Sequence, residues 1–327
     1  MNMRRKLATT AALVFSIGAI SPGTDTAVAQ DYPTKPVRIL VGLNAGALPD
    51  ILARIMGQAL SERLGQPFVI ENRPGAATNV ATEAVVRSPP DGYTLLLANP
   101  PNTIGASVYD NLRFNFIRDI APVASFYQTR LVMVVHPSVP AATVPEFIAY
   151  AKANPGKLNF ASNGRGGVLH LSGELFKMMA GVDMVHVPYR GGGNVLTDLI
   201  TGQVQVSFIA PDVAMEHVKV DKLRLLAVTS AARWEAAPNV PTVAEFLPGY
   251  ETLAWFGIGA PKDTPQEIVD RLNREINAVL ADPKMKARYA ELGGSTFAGS
   301  PGDFGKFIAD QTEKMTKIVR FAGVKGE

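Results

Sequence analysis

Short β-branched runs alternate with helical stretches along most of this chain, and that alternation restricts the possible fold more than any single motif. Residues 37–41 are apolar and β-rich, as expected of a buried strand. Residues 50–64 place Ile51, Leu52, Ile55, Met56, Leu60 and Leu64 at helical spacing, with Asp50 suited to an N-cap after Pro49. The same reading predicts strand 68–71, helix 77–87 and strand 94–97, then helix 144–153, strand 159–162 and helix 170–180. Strand 184–187, helix 192–201 and strands 204–210 and 223–228 follow. Strands alternating with helices predict an α/β protein with mostly parallel sheets flanked by helices. Two apolar runs, 131–135 and 253–259, look like crossings between lobes, and a helical tail covers 265–280, 283–292 and 301–321. The expected organisation is therefore a discontinuous first lobe, 30–128 plus 254–327, and a second lobe, 129–253, inserted as one piece.

The first 29 residues read as a signal peptide. Arg4, Arg5 and Lys6 precede an apolar run over 7–20, and Ala27-Val28-Ala29 supplies small residues for cleavage. The apolar run is too short to span a bilayer, and no later run reaches the length of a membrane helix. A soluble, periplasmic mature protein, exported across the inner membrane and cleaved near Ala29, is expected. It is large enough to bury a core without disulfides. Its net charge is near neutral once the basic leader is removed, and no basic stripe is interleaved with aromatics, so nucleic acid is not an expected partner. A monomer is expected.

Several chemistries lack their residues. With no cysteine there is no thiolate metal site, disulfide or cysteine nucleophile. The histidines, His136, His170, His186 and His217, show no metal-ligand spacing. There is no Gly-x-Ser-x-Gly elbow and no Walker loop. No catalytic residue, metal or cofactor is expected, and the chain is not expected to be an enzyme.

Three strand-to-helix loops remain, each rich in small residues: 42–50, 73–79 and 162–170. In parallel α/β sheets such loops gather at the carboxyl ends of the strands, where ligands bind. Each offers unpaired N–H groups at a helix N-terminus, which favour an anion. Arg165 is the one mobile cation in loops 42–50 and 162–170 and could pair with a carboxylate; Arg73 and Arg190 are further candidates.

Longer stretches carry a family resemblance over nearly the whole mature chain. They are Tyr32-Pro33-Thr34-Lys35-Pro36-Val37-Arg38, Glu71-Asn72-Arg73-Pro74-Gly75-Ala76, Pro90-Asp91-Gly92-Tyr93-Thr94-Leu95-Leu96, Ala153-Asn154-Pro155-Gly156-Lys157-Leu158, His186-Val187-Pro188-Tyr189-Arg190-Gly191 and 223–230. With these the chain resembles the tripartite tricarboxylate transporter receptors, or Bug proteins. The resemblance implies a two-lobed, type II Venus-flytrap periplasmic binding protein. It also implies two integral membrane transporter subunits as partners and a small organic carboxylate as ligand.

Transferred by position, the resemblance implies that Leu43, Asn44, Gly46, Ala47 and Asp50 form one jaw. Ser162, Asn163, Arg165, Gly166, Gly167 and His170 would form the other. Thr78 and Asn79 would flank the cleft, and Ile209, Ala210 and Asp212 would close it. The chain departs from the family pattern at Ala47, where a glycine is usual, at Gly167 and Val168, where small polar residues are usual, and at Ile209, where an acid is common. The loss of that acid argues against an ammonium-bearing ligand and for a dicarboxylate or aromatic carboxylate. A sensor presenting the ligand to a signalling partner, or an enzyme on the same fold, is the alternative.

Overall fold

The computed structural model describes residues 32–109, 112–189 and 192–324. The expected leader, 1–29, and Arg190 lie outside them. Residues Pro33–Glu327 form one unit built on two sheets.

The first sheet contains β1 (Val37–Val41), β2 (Phe68–Asn72), β3 (Thr94–Ala98), β4 (Ile120–Arg130), β10 (Leu253–Pro261) and the two-residue β11 (Ser295–Thr296), in the order β11-β4-β10-β3-β1-β2. The second contains β5 (Val132–Val135), β6 (Leu158–Ser162), β7 (Met184–Pro188), β8 (Val206–Ile209) and β9 (Arg224–Val228), in the order β7-β6-β8-β5-β9. The two share a plan. In each, three parallel strands are followed by a strand that arrives from the other sheet, β10 or β5, and that strand pairs antiparallel on both sides. The geometry of the crossing explains the reversal. β4 runs toward its end at Arg130, and β5 starts two residues later, so β5 enters the second sheet from the end where its neighbours finish. The parallel expectation thus holds among β1, β2 and β3 and among β6, β7 and β8, and fails for the arriving strands and for β11, which pairs antiparallel with β4, so the sheets are mixed.

Helices cover the sheets. They are α1 (Leu48–Leu64), α2 (Asn79–Val86), α3 (Pro100–Val108), α4 (Phe116–Asp119), α5 (Val144–Ala153), α6 (Val168–Ala180), α7 (Gly192–Ile200), α8 (Pro211–Val218), α9 (Gln266–Ala281), α10 (Pro283–Glu291) and α11 (Pro301–Ala322). α1 begins before the expected Asp50: Ala47 is its N-cap, and Pro49 sits in the first turn, where a missing N–H costs nothing. α11 is bounded as its sequence suggests, by a Ser300/Asp303 capping box, Pro301 in the first turn and left-handed Gly323. Its first half adds Phe304 and Ile308 to the core under the first sheet, where Trp255 packs edge-on against Phe304. Its second half adds Met315, Ile318 and Val319 to the core of the second, with Phe147, Phe160, Phe176 and Phe208.

One buried hydroxyl joins the two crossings. Thr229, fully buried just beyond β9, accepts the Leu131 N–H at Oγ1 (2.9 Å) and donates from Oγ1 to Thr252 O (2.7 Å). Its own N–H donates to Leu131 O (2.9 Å), and the Thr252 N–H donates to Thr229 O (3.1 Å). Ser172 Oγ in α6 donates to Thr252 Oγ1 (2.8 Å), extending the network into the second sheet's main helix. Thr229→Val keeps the shape but leaves the Leu131 N–H and Thr252 O without that partner. It should cost on the order of 2–4 kcal/mol, read as a lower urea midpoint with an unchanged slope. An unchanged midpoint would remove Thr229 from this role.

Candidate ligand cleft

β6 ends at Ser162, and the loop 163–167 leads into α6. Its glycines are needed: Gly164 and Gly166 have φ of 142° and 74°, in the range that side chains disfavour. Two buried or half-buried imidazoles hold the loop from beneath. The Gly166 N–H donates to His170 Nδ1 (3.0 Å), and Ser162 Oγ lies 2.7 Å from His186 Nε2 while donating to Gly164 O (2.8 Å). The His170 and His186 rings stack at 3.7 Å, and Phe160 packs 4.8 Å from His186. Burial, reinforced by the adjacent His170 ring, pushes His186 down to about 3. Burial also opposes the charge on Glu174 one turn further along α6, but His170 and Lys177 outweigh it and leave that carboxyl below its ordinary range.

The facing loop follows β1. Asp50, buried in the first turn of α1, accepts the Gly46 N–H (2.9 Å) and the Arg54 Nε–H (2.9 Å). The Arg54 hydrogen bond holds its carboxyl at about 2 despite burial. Asn72 Nδ2 donates to Leu43 O (3.0 Å), tying this loop to the end of β2. The turn at 76–78 is left-handed at three successive non-glycine residues, Ala76, Ala77 and Thr78 (φ 46°, 48° and 75°), a conformation that persists only where surrounding structure imposes it. Here Asn102 of α3 imposes it, donating to Thr78 Oγ1 (3.1 Å) and Thr82 Oγ1 (2.9 Å).

Between the loops lies a cavity of about 400 Å³ with walls from both sheets. Asn163, Gly164, Arg165, Gly166, Gly167 and Val168 form one side; Leu43, Pro49 and Ala77 form part of the other. α3 supplies Pro100, Pro101, Ile104, Gly105 and Val108, and the cavity reaches Tyr109 beyond it and Ala254 and Phe256 of β10. Arg165 is exposed and takes part in none of the ion pairs found among the described residues. Among the described residues no group of three His, Asp or Glu side chains could hold a metal ion, and no helix is long and apolar enough to cross a membrane.

Of the residues expected at the site, Leu43, Asn163, Arg165, Gly166 and Gly167 line this cavity. Asn44, Gly46 and Ala47 are exposed and do not line it, because Asp50 draws the Gly46 N–H toward α1. Asp50, Thr78, Asn79, Ser162 and His170 are buried behind the walls they brace. Ile209 is buried in the core of the second sheet. Neither Ala210 nor Asp212 lines the cavity, and Asp212 sits beside Gly293. Arg73 pairs with Glu71. The α3 wall went unread, although Asn99-Pro100-Pro101 is an N-cap residue followed by prolines at the helix start. Phe256, within the 253–259 run, also meets the cavity.

The family described as tripartite tricarboxylate transporter family receptor matches residues 52–324. Protein BugT of Bordetella pertussis is 34% identical over 328 residues, spanning 99% of this chain and 99% of its own. The chain belongs to the tripartite tricarboxylate transporter receptor family. The solved structure of R. palustris Rpa4515 with adipate is 34% identical, with a TM-score of 0.76 over 90% of this chain and 99% of that chain. MatC (Rpa3494) from Rhodopseudomonas palustris with bound malate is 27% identical, with a TM-score of 0.73 over 88% of this chain and 100% of that chain. Family and fold are those of periplasmic solute-binding receptors, and not those of enzymes.

The histidine brace makes a pH prediction for this receptor. A folded-state value of about 3 against an ordinary 6.5 means that the unfolded chain takes up a proton at His186 which the folded chain refuses. Stability from this residue is complete above pH 6.5 and is lost progressively as pH falls toward 3. His186→Gln, which can still bond Ser162, should flatten the melting temperature against pH between 6.5 and 4 relative to the parent. Parallel curves would show that His186 does not contribute.

Proposed function

We propose that this receptor captures a small organic carboxylate in the cleft between its two sheets and delivers it to the membrane subunits of a tripartite tricarboxylate-type secondary transporter. The observation that carries this reading is the cavity itself, which draws on the loops after β1 and β6, one from each sheet, and has Arg165 as its only charged lining side chain among the described residues. The loop side also presents the amino end of α6, with glycine as N-cap, no capping side chain and no acid in its first turn. Its first N–H groups have no intrahelical acceptors, and the helix dipole favours an anion there. The similar structures of Rpa4515 with adipate and MatC with bound malate support a carboxylate as the ligand class.

Residues 30–128 with 254–327 then act as one lobe and 129–253 as the other, consistent with a passage at Leu131 and a return at Thr252. The ligand favours the closed arrangement because both lobes touch it only there, and no covalent step is involved.

A thermal-shift screen of the purified receptor against mono-, di-, tri- and aromatic carboxylates tests this reading. A true ligand at a hundred times its Kd stabilises by about 2.7 kcal/mol, a rise in melting temperature on the order of 5 °C. Arg165→Ala should weaken that ligand several-fold while leaving the ligand-free melt unchanged. Equal affinities by calorimetry would remove Arg165 from the site, and a screen in which no carboxylate raises the melt while uncharged solutes added as controls do would contradict the carboxylate reading.

A further inference from the structure

On the first sheet's side of the cleft one polar side chain is left over. Asn99 follows β3 as the N-cap of α3, lines the cavity and is only 1% exposed. Its main chain is engaged: the N–H donates to Asn102 Oδ1 (2.8 Å), and the carbonyl accepts the Asn102 N–H (3.0 Å). Its side chain is not, since neither Nδ2 nor Oδ1 has a hydrogen-bond partner among the described residues. The sequence explains why. An N-cap asparagine ordinarily accepts an N–H from the second or third helical position. Here the first two positions are Pro100 and Pro101, which have no N–H, and the third N–H goes to the Asn99 carbonyl. A buried amide with both halves unpaired is costly, and the space it borders is the cavity. Asn102, which fixes the Asn99 main chain, also holds Thr78 and Thr82, so the amide is set in place before a ligand arrives.

The two halves of the amide define the missing partner. A group seated on Asn99 must accept from Nδ2–H and donate to Oδ1. A carboxylate only accepts, so it would leave Oδ1 unpaired. This wall also has no cation to offset its charge: besides Asn99, its polar lining among the described residues is Tyr109, a neutral phenol beyond the other end of α3. An ammonium only donates, and a methyl does neither. A hydroxyl is the smallest group that does both. We propose that Asn99 is a specificity-determining residue that pairs with a hydroxyl, so that the ligand is a hydroxy-carboxylate with its carboxylate on the 163–168 loop beside Arg165 and its hydroxyl on the Asn99 amide. This deepens the reading of the cleft as a carboxylate site and rests on it.

Matched acids test it. Calorimetry on the purified receptor compares 6-hydroxyhexanoate with hexanoate and adipate, and 4-hydroxybenzoate with 4-methylbenzoate and terephthalate. In whichever series binds, the hydroxy acid should bind at least roughly tenfold tighter than the other two, because an analogue without the hydroxyl leaves the buried amide unpaired. Asn99→Leu, close in size, should abolish that preference while the ligand-free melting temperature stays at or above the parent's, since an unpaired buried amide has been removed. A purely structural N-cap would lower the melt instead. Equal affinities within the binding series, a tightest diacid, a preference that survives Asn99→Leu, or a variant that melts several degrees below the parent would overturn the role of Asn99 and leave the carboxylate site standing. So would a screen whose binding carboxylates all lack a hydroxyl. If no carboxylate binds and uncharged controls do, the carboxylate reading falls and takes this inference with it.

Discussion

The hydroxyl of Thr229 is the point through which the two halves of the molecule are held in register. The chain passes between the sheets at Leu131 and returns at Thr252, and both passages hydrogen-bond to this one buried residue. Backbone leaving a sheet loses the ladder that satisfied its polar groups, and buried groups left unpaired are costly. Thr229 supplies those partners in a position that neither sheet provides. Its network continues through Thr252 to Ser172 of α6, whose carbonyl accepts the Tyr250 hydroxyl (3.0 Å). The helix that begins at the cleft is thereby fastened to the passage between the sheets.

From that frame the cleft follows. Strands native to each sheet end on the same side, so the loops after β1 and β6 face a shared space. The loops are stiff for different reasons. The β1 loop is drawn onto α1 by Asp50, and the β6 loop rests on the stacked imidazoles of His170 and His186. Each brace takes polar groups out of play as ligand contacts. The Asp50 carboxylate occupies the amino end of α1, whereas the amino end of α6 remains uncapped. A fold with a repeated plan thus carries a cleft with unlike sides, and its asymmetry arises from single residues.

Much of this was legible in the sequence. The alternation of strand and helix revealed the α/β class, and the apolar runs at 131–135 and 253–259 marked both passages close to where β5 and β10 lie. Glycine-rich loops pointed to the 163–167 segment that lines the cavity. The antiparallel arrival of β5 and β10 was not visible, because direction is set by where a crossing enters a sheet and leaves no local pattern. β4 was missed because Pro122 and the polar residues Ser125, Gln128 and Thr129 blur its apolar pattern. α3 was missed because its nine residues are mostly small or polar, although its proline start was a usable sign. Which loop residues line the cavity was beyond sequence: Asn44 and Gly46 fall in the expected jaw, yet neither lines the cavity, and the Gly46 N–H donates to Asp50.

The most direct test is a crystal structure of the receptor grown with a saturating carboxylate identified by screening. The account requires ligand density inside the cavity, with a carboxylate oxygen within hydrogen-bond distance of main-chain N–H groups in the 163–168 loop and the rest of the molecule touching Leu43 or Pro49. Density for the same ligand on an outer face of one sheet, with the cavity holding only water, would contradict it.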